Sequence, residues 1–304
     1  MKLNAAIAQS DAIYDLSRSP GTLLAFACVF LILLSAIFAP WIAPQNPLDL
    51  ASLELMNALK PPAFLPGGEL QFPLGTDNQG RDVLSAIFYG TRVSLIVGFT
   101  AVVIAATFGT VVGMIAGYFG GVVDAVLMRL ADIQLTFPSL MIALLINGVA
   151  RVVLPEGGHE NIEIGVVIFA ISVSEWPKFA RTARGSTLVE CDKEYILAAR
   201  IMGASILSVG FRHILPNIAS PLAVIAMLSL GMAILSEATL SFLGVGVPAA
   251  QPSLGTMIRI GNNYIFSGEW WIAFFPALVL TILVVSVNFS GDFLRKALVR
   301  DFRP

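Results

Sequence analysis

Charged side chains are scarce in this sequence: Asp, Glu, Lys and Arg make up 12% of it, about half the share usual in a soluble domain. A chain so poor in charge and 57% hydrophobic, with a mean hydropathy of +0.83, belongs in a membrane. The net charge of −2 gives no bulk attraction to nucleic acid or acidic ligands, so partners must be sought in local charge patterns. Cysteine is nearly absent. Cys28 lies in an apolar run and Cys191 in a basic stretch, which suggests neither a disulfide framework nor a metal site. No glycine is followed by lysine, which excludes a G-x-x-x-x-G-K-[ST] loop for nucleotide phosphates. Sheet signals are missing. Catalytic residues are missing too, because no nucleophile, base or metal-ligand set recurs within the apolar runs.

What the chain has is long uncharged stretches. Residues 22–42, 93–119, 133–150, 214–236 and 270–291 can each cross a membrane, since a hydrocarbon layer of ~30 Å takes about 20 apolar residues. A sixth stretch, 161–180, is weaker because it contains Glu163, Glu175 and Lys178, the last two spaced to pair on one helix face. The first run is longer than a signal-peptide core and reads as a retained span. The expected fold is all-α, a polytopic membrane protein with six transmembrane helices. Six spans put both termini on one side with Arg129, Lys178, Arg181, Arg184, Lys193, Arg200 and Arg212. The other side holds only Lys60, Arg81, Arg92, Arg151 and Arg259, so the positive-inside rule places both termini in the cytoplasm.

Gly109, Gly113 and Gly117 recur every fourth residue in the second span, a face that lets another backbone approach closely; the pattern does not say which helix approaches. Pro138 and Pro177 should kink the third and fourth helices by removing backbone donors. The proline-rich stretch from Pro44 onward reads as an outer loop. Thr76-Asp77-Asn78-Gln79 has the pattern of a capping box before a short interfacial helix carrying Val83, Leu84, Ile87 and Phe88. That surface either positions the second span or meets a soluble delivery protein.

Between Arg181 and Pro221 the chain turns basic and amphipathic. A short helix after Asp192 would carry Tyr195, Ala198, Ala199 and Met202 on one side, with Glu194 and Arg200 elsewhere. Gly203 supplies a C′ turn. Ser205 caps a second helix carrying Leu207, Gly210, Phe211 and Ile214 on one face, which Pro216 breaks, leaving Asn217 and Pro221 to open the fifth span. From charge alone this is a loop that fixes topology.

The spacing of Ala198, Ala199, Gly203, Leu215 and Pro216 resembles the coupling loop of ABC importer permeases, with Leu197 standing where that family carries glutamate and His213 where it carries isoleucine. PLGTDNQGRDVLSAIFYGTRVSL, GYFGGVVDAVLMRLADIQLTFPSL, EATLSFLGVGVP and GDFLRKALVRDFRP extend the resemblance over nearly the whole chain. It is to the C-type inner-membrane subunit of dipeptide and oligopeptide permeases, a type I ABC importer permease fold. The resemblance implies a cytoplasmic tail, first span and outer loop over 1–91, a five-helix core over 92–291 with the coupling loop at 181–216, and a cytoplasmic tail over 292–304. It implies a bacterial inner-membrane location, a homologous second permease, two ATPase subunits and a periplasmic or lipid-anchored binding protein as partners. ATP and Mg would be bound by the ATPases, and no cofactor by this chain. The coupling residues would be Glu194, Tyr195, Ala198, Ala199, Arg200, Gly203, Ala204, Leu215 and Pro216. Related permeases import nickel, glutathione, opines or oligosaccharides, so cargo is less fixed than class. An ion-coupled carrier is the rival, though such carriers show repeated halves and intramembrane acids.

Other motifs mislead. Gly244-x-Gly246-x-x-Ala249 imitates a dinucleotide fingerprint without its strand, and Asn288-Phe289-Ser290 is a glycosylation triplet inside a span. His159 and His213 fall on opposite sides of the membrane. Glu237, near the end of the fifth span, must face protein, water or headgroups. It is either a satisfied helix-end carboxylate or, with Ser236 and Ser241, part of the pathway or its gate.

Overall fold

Residues 20–49, 53–153, 160–248 and 250–300 are described by a computed structural model. Among them no strand forms, only an isolated bridge between Thr76 and Asp82. Helix α1 (Pro20–Ile37) and the single turn α2 (Ala39–Ile42) precede a loop of turns with a 3-10 segment at Leu55–Asn57. Then come α3 (Val83–Phe119), α4 (Gly121–Thr136), α5 (Ser139–Val153) and α6 (Glu160–Cys191). Two short helices, α7 (Glu194–Ile201) and α8 (Ile206–Val209), lead through a π turn (Gly210–Ile214) into α9 (Leu215–Phe242). Helix α10 (Leu254–Asn262), a 3-10 segment at Ile265–Ser267 and α11 (Trp271–Arg300) follow.

Among the described residues four helical stretches are long and apolar enough to cross a membrane: Pro20–Ile37, Val83–Phe119, Ile206–Phe242 and Trp271–Phe293. The pair α4 and α5 makes a fifth if counted as one broken span. Helix α6 has the length, 32 residues, but is more polar, as its charges foretold. Six spans are compatible with this arrangement. Phe99, Phe108 and Phe289 point outward, exposed, as lipid-facing side chains do and as a water-facing surface of this extent does not.

The structure corrects several local expectations. The run 133–150 is not one kinked helix: it breaks at Phe137–Pro138, and the two arms meet at 89°. Pro177, by contrast, lies within α6, which continues past it to Cys191. No capping box forms at Thr76 to Gln79. The Thr76 hydroxyl accepts from Lys60 N at 2.8 Å, and Asp77 Oδ1 accepts from Gln79 N and Arg81 N, holding a tight turn. The true cap lies six residues on, where Asp82 accepts from Ser85 N at 2.8 Å. Val83 to Phe88 is therefore the first part of α3 and not a separate interfacial helix. Pro216 does not break a helix either. It follows the π turn in a helical run that continues from Ile206 to Phe242, and Pro221 lies inside α9. His159, Ala249, residues 1–19 and residues 301–304 lie outside the described residues, while residues 292–300 of the expected tail continue α11.

Small residues decide how the bundle closes. Val97, Ala101, Ala105, Gly109, Gly113 and Gly117 form one buried row along α3. The helix this row receives is α6 of the same chain. A Cβ on Gly109 would lie 2.4 Å from Trp176 O, one on Gly113 2.2 Å from Ala180 O, and one on Gly117 2.8 Å from Thr187 Cβ. Phe179, Ala180 and Ala183 fill the facing side, and Ile214, Ile218 and Ala233 close the core from the π turn and α9. A second cluster, with Val83, Ile234, Leu254, Ile272 and Leu283, joins α3, α9, α10 and α11 at the other end. There Trp271 Nε1 donates to Thr76 O at 3.1 Å, tying the outer loop to α11.

Candidate functional site

The candidate site is the elbow formed by α7, α8 and the π turn, where the ends of three long helices converge. The C-terminus of α7 shows why it turns so sharply. Gly203 takes φ +81°, its N–H bonds Arg200 O at 3.0 Å, and Ala204 N–H bonds Ala199 O at 3.0 Å. These two bonds define a Schellman motif with glycine at C′. Ser205 then caps α8 by accepting from Ser208 N at 3.2 Å.

Each neighbouring helix is bolted to α7 by a side chain. The Tyr195 hydroxyl donates to Glu190 Oε2 near the end of α6 and accepts from Asn217 Nδ2 at 3.0 Å in the first turn of α9. Burial and then the Glu190 carboxylate push the phenol up to about 12, so it keeps its proton at any physiological pH and stays a donor to Glu190. Asn217 also donates to His213 O at 2.6 Å, securing the π turn, and Lys193 pairs with Glu190. The Arg200 guanidinium stands over the Tyr118 ring, 4.6 Å from its centre, a cation–π contact that reaches the end of α3. Beside it Arg184 of α6 grips Asp124 of α4 in a bidentate pair at 2.9 and 2.6 Å, the geometry that makes such pairs strong.

The sequence-derived residues divide between this frame and its surface. Tyr195, Arg200 and Gly203 belong to the frame. Glu194, Ala198 and Pro216 are exposed, Ala204 and Leu215 half-buried against the core. Ala199 is buried on the side of Ile196, so the two alanines look in different directions. On α8 and the π turn the buried residues are Val209 and Ile214, while Leu207 and Phe211 are exposed. The outer surface of the elbow is thus apolar: Ile201 is 86% exposed, Met202 80% and Leu207 71%. Leu197 adds to it.

Tyr118, Glu190 and Asp124 escaped the sequence reading. Tyr118 precedes the glycine pair that ends the second span, and Asn217 was expected to cap α9, whereas its amide bonds backward. Removing the bridging hydroxyl is a direct probe of the frame. Tyr195→Phe removes both hydrogen bonds and is expected to raise amide hydrogen exchange across 194–204 by at least about tenfold, while α3 and α6 stay protected; unchanged exchange would show the bridge to be idle.

Glu237 is fully buried. The Ser241 hydroxyl donates to its Oε1 at 2.7 Å, and Ser94 and Ser253 face the same carboxylate. Ser241 Oγ accepts from Val247 N at 3.0 Å, Ser94 Oγ from Leu254 N at 3.3 Å. This polar knot joins α3, α9 and α10. Ser236, one residue away, is half-buried and faces elsewhere. Glu175 and Lys178 pair at 2.7 Å, as their spacing suggests. No cluster of metal-ligating side chains occurs among the described residues.

Residues 109–304 match the family described as binding-protein-dependent transport system inner membrane component. Residues 10–62 match the N-terminal TM domain of oligopeptide transport permease C. The dipeptide transport system permease protein DppC of Haemophilus influenzae is 37% identical over 92% of this chain and 90% of its own length. DppC of Escherichia coli is 40% identical over 92% and 89%, and the di/tripeptide permease DppC of Pseudomonas aeruginosa 38% over 93% and 88%. Among solved structures, a chain of the inward-facing MetNI methionine ABC transporter superposes with a TM-score of 0.53 at 20% identity, covering 70% of this chain and 96% of that one. The likeness is one of fold.

Proposed function

Since the chain belongs to the family of binding-protein-dependent transport system inner membrane components, we propose that it carries peptides inward as one half of a membrane pathway driven by ATPases on separate chains. The observation that carries this reading is the elbow: an exposed apolar surface whose underside is fastened to α3, α6 and α9 by Tyr118, Glu190 and Asn217. A partner gripping Ile201, Met202 and Leu207 would displace all three helices together, and α9 runs on from the elbow without interruption. Glu194, Ala198 and Leu197 lie on the gripped side, while Ala199 and Ala204 support it from beneath.

The cytoplasmic placement of the elbow and termini is supported by the lysines and arginines gathered around it. Two ATPases carrying ATP and Mg, a homologous second permease and a binding protein outside complete the assembly in this reading. Di- or tripeptide cargo is supported by the names of the relatives above and by identities of 37–40%. The burial of Glu237 and Ser241 favours a role in holding α10 to α9; Ser236 is the better candidate of the three for the pathway.

A cysteine at Ile201 tests the reading. In membranes containing the neighbouring transport subunits, Ile201→Cys should form a crosslink to an ATPase with a short bifunctional reagent, and dipeptide uptake by reconstituted vesicles should stop when ATP is withheld. Uptake that follows an ion gradient with no ATPase present would overturn it.

A further inference from the structure

Pro177 lies in the middle of α6 and has no N–H to give the Val173 carbonyl four residues earlier. A side chain from another helix fills the gap. Gln134 Nε2, in the last turn of α4, donates to Val173 O, and Gln134 Oε1 accepts from Trp176 Nε1 at 2.8 Å. Both ends of one amide are thus engaged with α6, in the turn that leads into the proline. Trp176 is held in turn by Phe108 of α3, ring centres 5.3 Å apart and nearly perpendicular.

The site adjoins the other proline lesion. Three residues after Gln134 the chain breaks at Phe137–Pro138 and turns through 89° into α5. A second bond holds the far side of the break, Ser174 Oγ donating to Ser139 O at 3.2 Å. The bend and the proline gap are therefore laced together: α4 through Gln134 and α5 through Ser139. Beyond the proline α6 continues to Cys191, and Tyr195 rests on Glu190 in its last turn.

We propose that Gln134 is a positioning residue for transport, its side-chain amide standing in for the backbone donor that Pro177 lacks, so that the bent α4–α5 pair follows α6 when the elbow moves. This rests on the reading of the elbow as the point where force enters. The amide is not tied to the covalent geometry of α6 as a ladder bond is, so α6 keeps a hinge at Pro177 without leaving the half-buried Val173 carbonyl unpaired.

Pro177→Ala restores the backbone donor, and that makes the test specific. In the complete reconstituted assembly, Gln134→Leu is expected to lower the Tm by about 3 °C and the dipeptide imported per ATP hydrolysed by about tenfold. In the Gln134→Leu, Pro177→Ala double variant both should return to the values of Pro177→Ala alone. Should Gln134→Leu fail to accumulate in membranes, the same rescue is read on accumulation. Wild-type behaviour of Gln134→Leu, or a double variant no better than the single, would overturn the proposal. Loss and rescue of Tm with unaltered import per ATP would overturn its transport part. If the wild-type assembly imports no dipeptide, the functional reading fails instead, while the Tm comparison still tests the amide.

Discussion

Gly113→Leu is expected to leave almost no folded protein in the membrane. A Cβ at this position would lie 2.2 Å from Ala180 O, 2.7 Å from Ala183 Cβ and 2.9 Å from Arg184 N. Two of these atoms are backbone, so no side-chain rotation relieves the overlap, and α3 would have to part from α6 by more than an ångström along the row from Val97 to Gly117. Overpacking in a core that can adjust costs about 1–3 kcal/mol; here the neighbour is the helix itself, and the cost should approach the whole stability of a domain. Gly113→Ala should already cut accumulation severely. Gly165→Ala is the control, because a Cβ there meets nothing, and alanine should favour the helix by about 1 kcal/mol. Detergent-extracted yield and thermal stability read all three; a stable, well-expressed Gly113→Leu would remove the close crossing from the account of this fold.

The second large effect separates backbone from space. Gly203 has nothing within 4 Å of where a Cβ would stand, so room is not what restricts the position. Its φ of +81° is. Gly203→Val places a β-branched residue in the left-handed region, at a cost of about 1–2 kcal/mol or more, and should unwind the Schellman turn that sets α7 against α8. Uptake should fall at least tenfold and the ATPases should wash away during purification. Gly203→Asn, which tolerates that backbone, should keep most of both. Equal behaviour of the two variants would mean that elbow geometry does not transmit the ATPase motion.

These two glycine sites also mark how much of the molecule is legible in its sequence. A glycine just beyond the last periodic residue of a short helix predicts a C′ turn from local rules, and the turn is there. The row at Gly109, Gly113 and Gly117 announces a close crossing but not with which helix, since the complementary surface of Phe179, Ala180, Ala183 and Thr187 lies some seventy residues away and is not itself distinctive. Hydropathy counts apolar residues and ignores direction, so the run 133–150 hides a right-angled break behind an ordinary Phe-Pro pair. The bridges that make the elbow rigid, Glu190 to Tyr195 to Asn217 and Arg200 to Tyr118, join residues whose adjacency exists only after folding. Glu237 was equivocal for a similar reason: a carboxylate near a span end fits both a surface and a core, and only the converging Ser94, Ser241 and Ser253 hydroxyls decide between them.

The uninterrupted course of α9 has a mechanical corollary. Twenty-eight residues at ~1.5 Å each give a beam about 42 Å long, pinned at one tip by Asn217 and at the other by the Glu237 carboxylate. Tilting such a beam by about 5° about either tip swings the opposite one through about 4 Å, more than the diameter of a water molecule. A nudge too small to disturb the packing near its fulcrum would therefore suffice to unseal the opposite face of the bilayer.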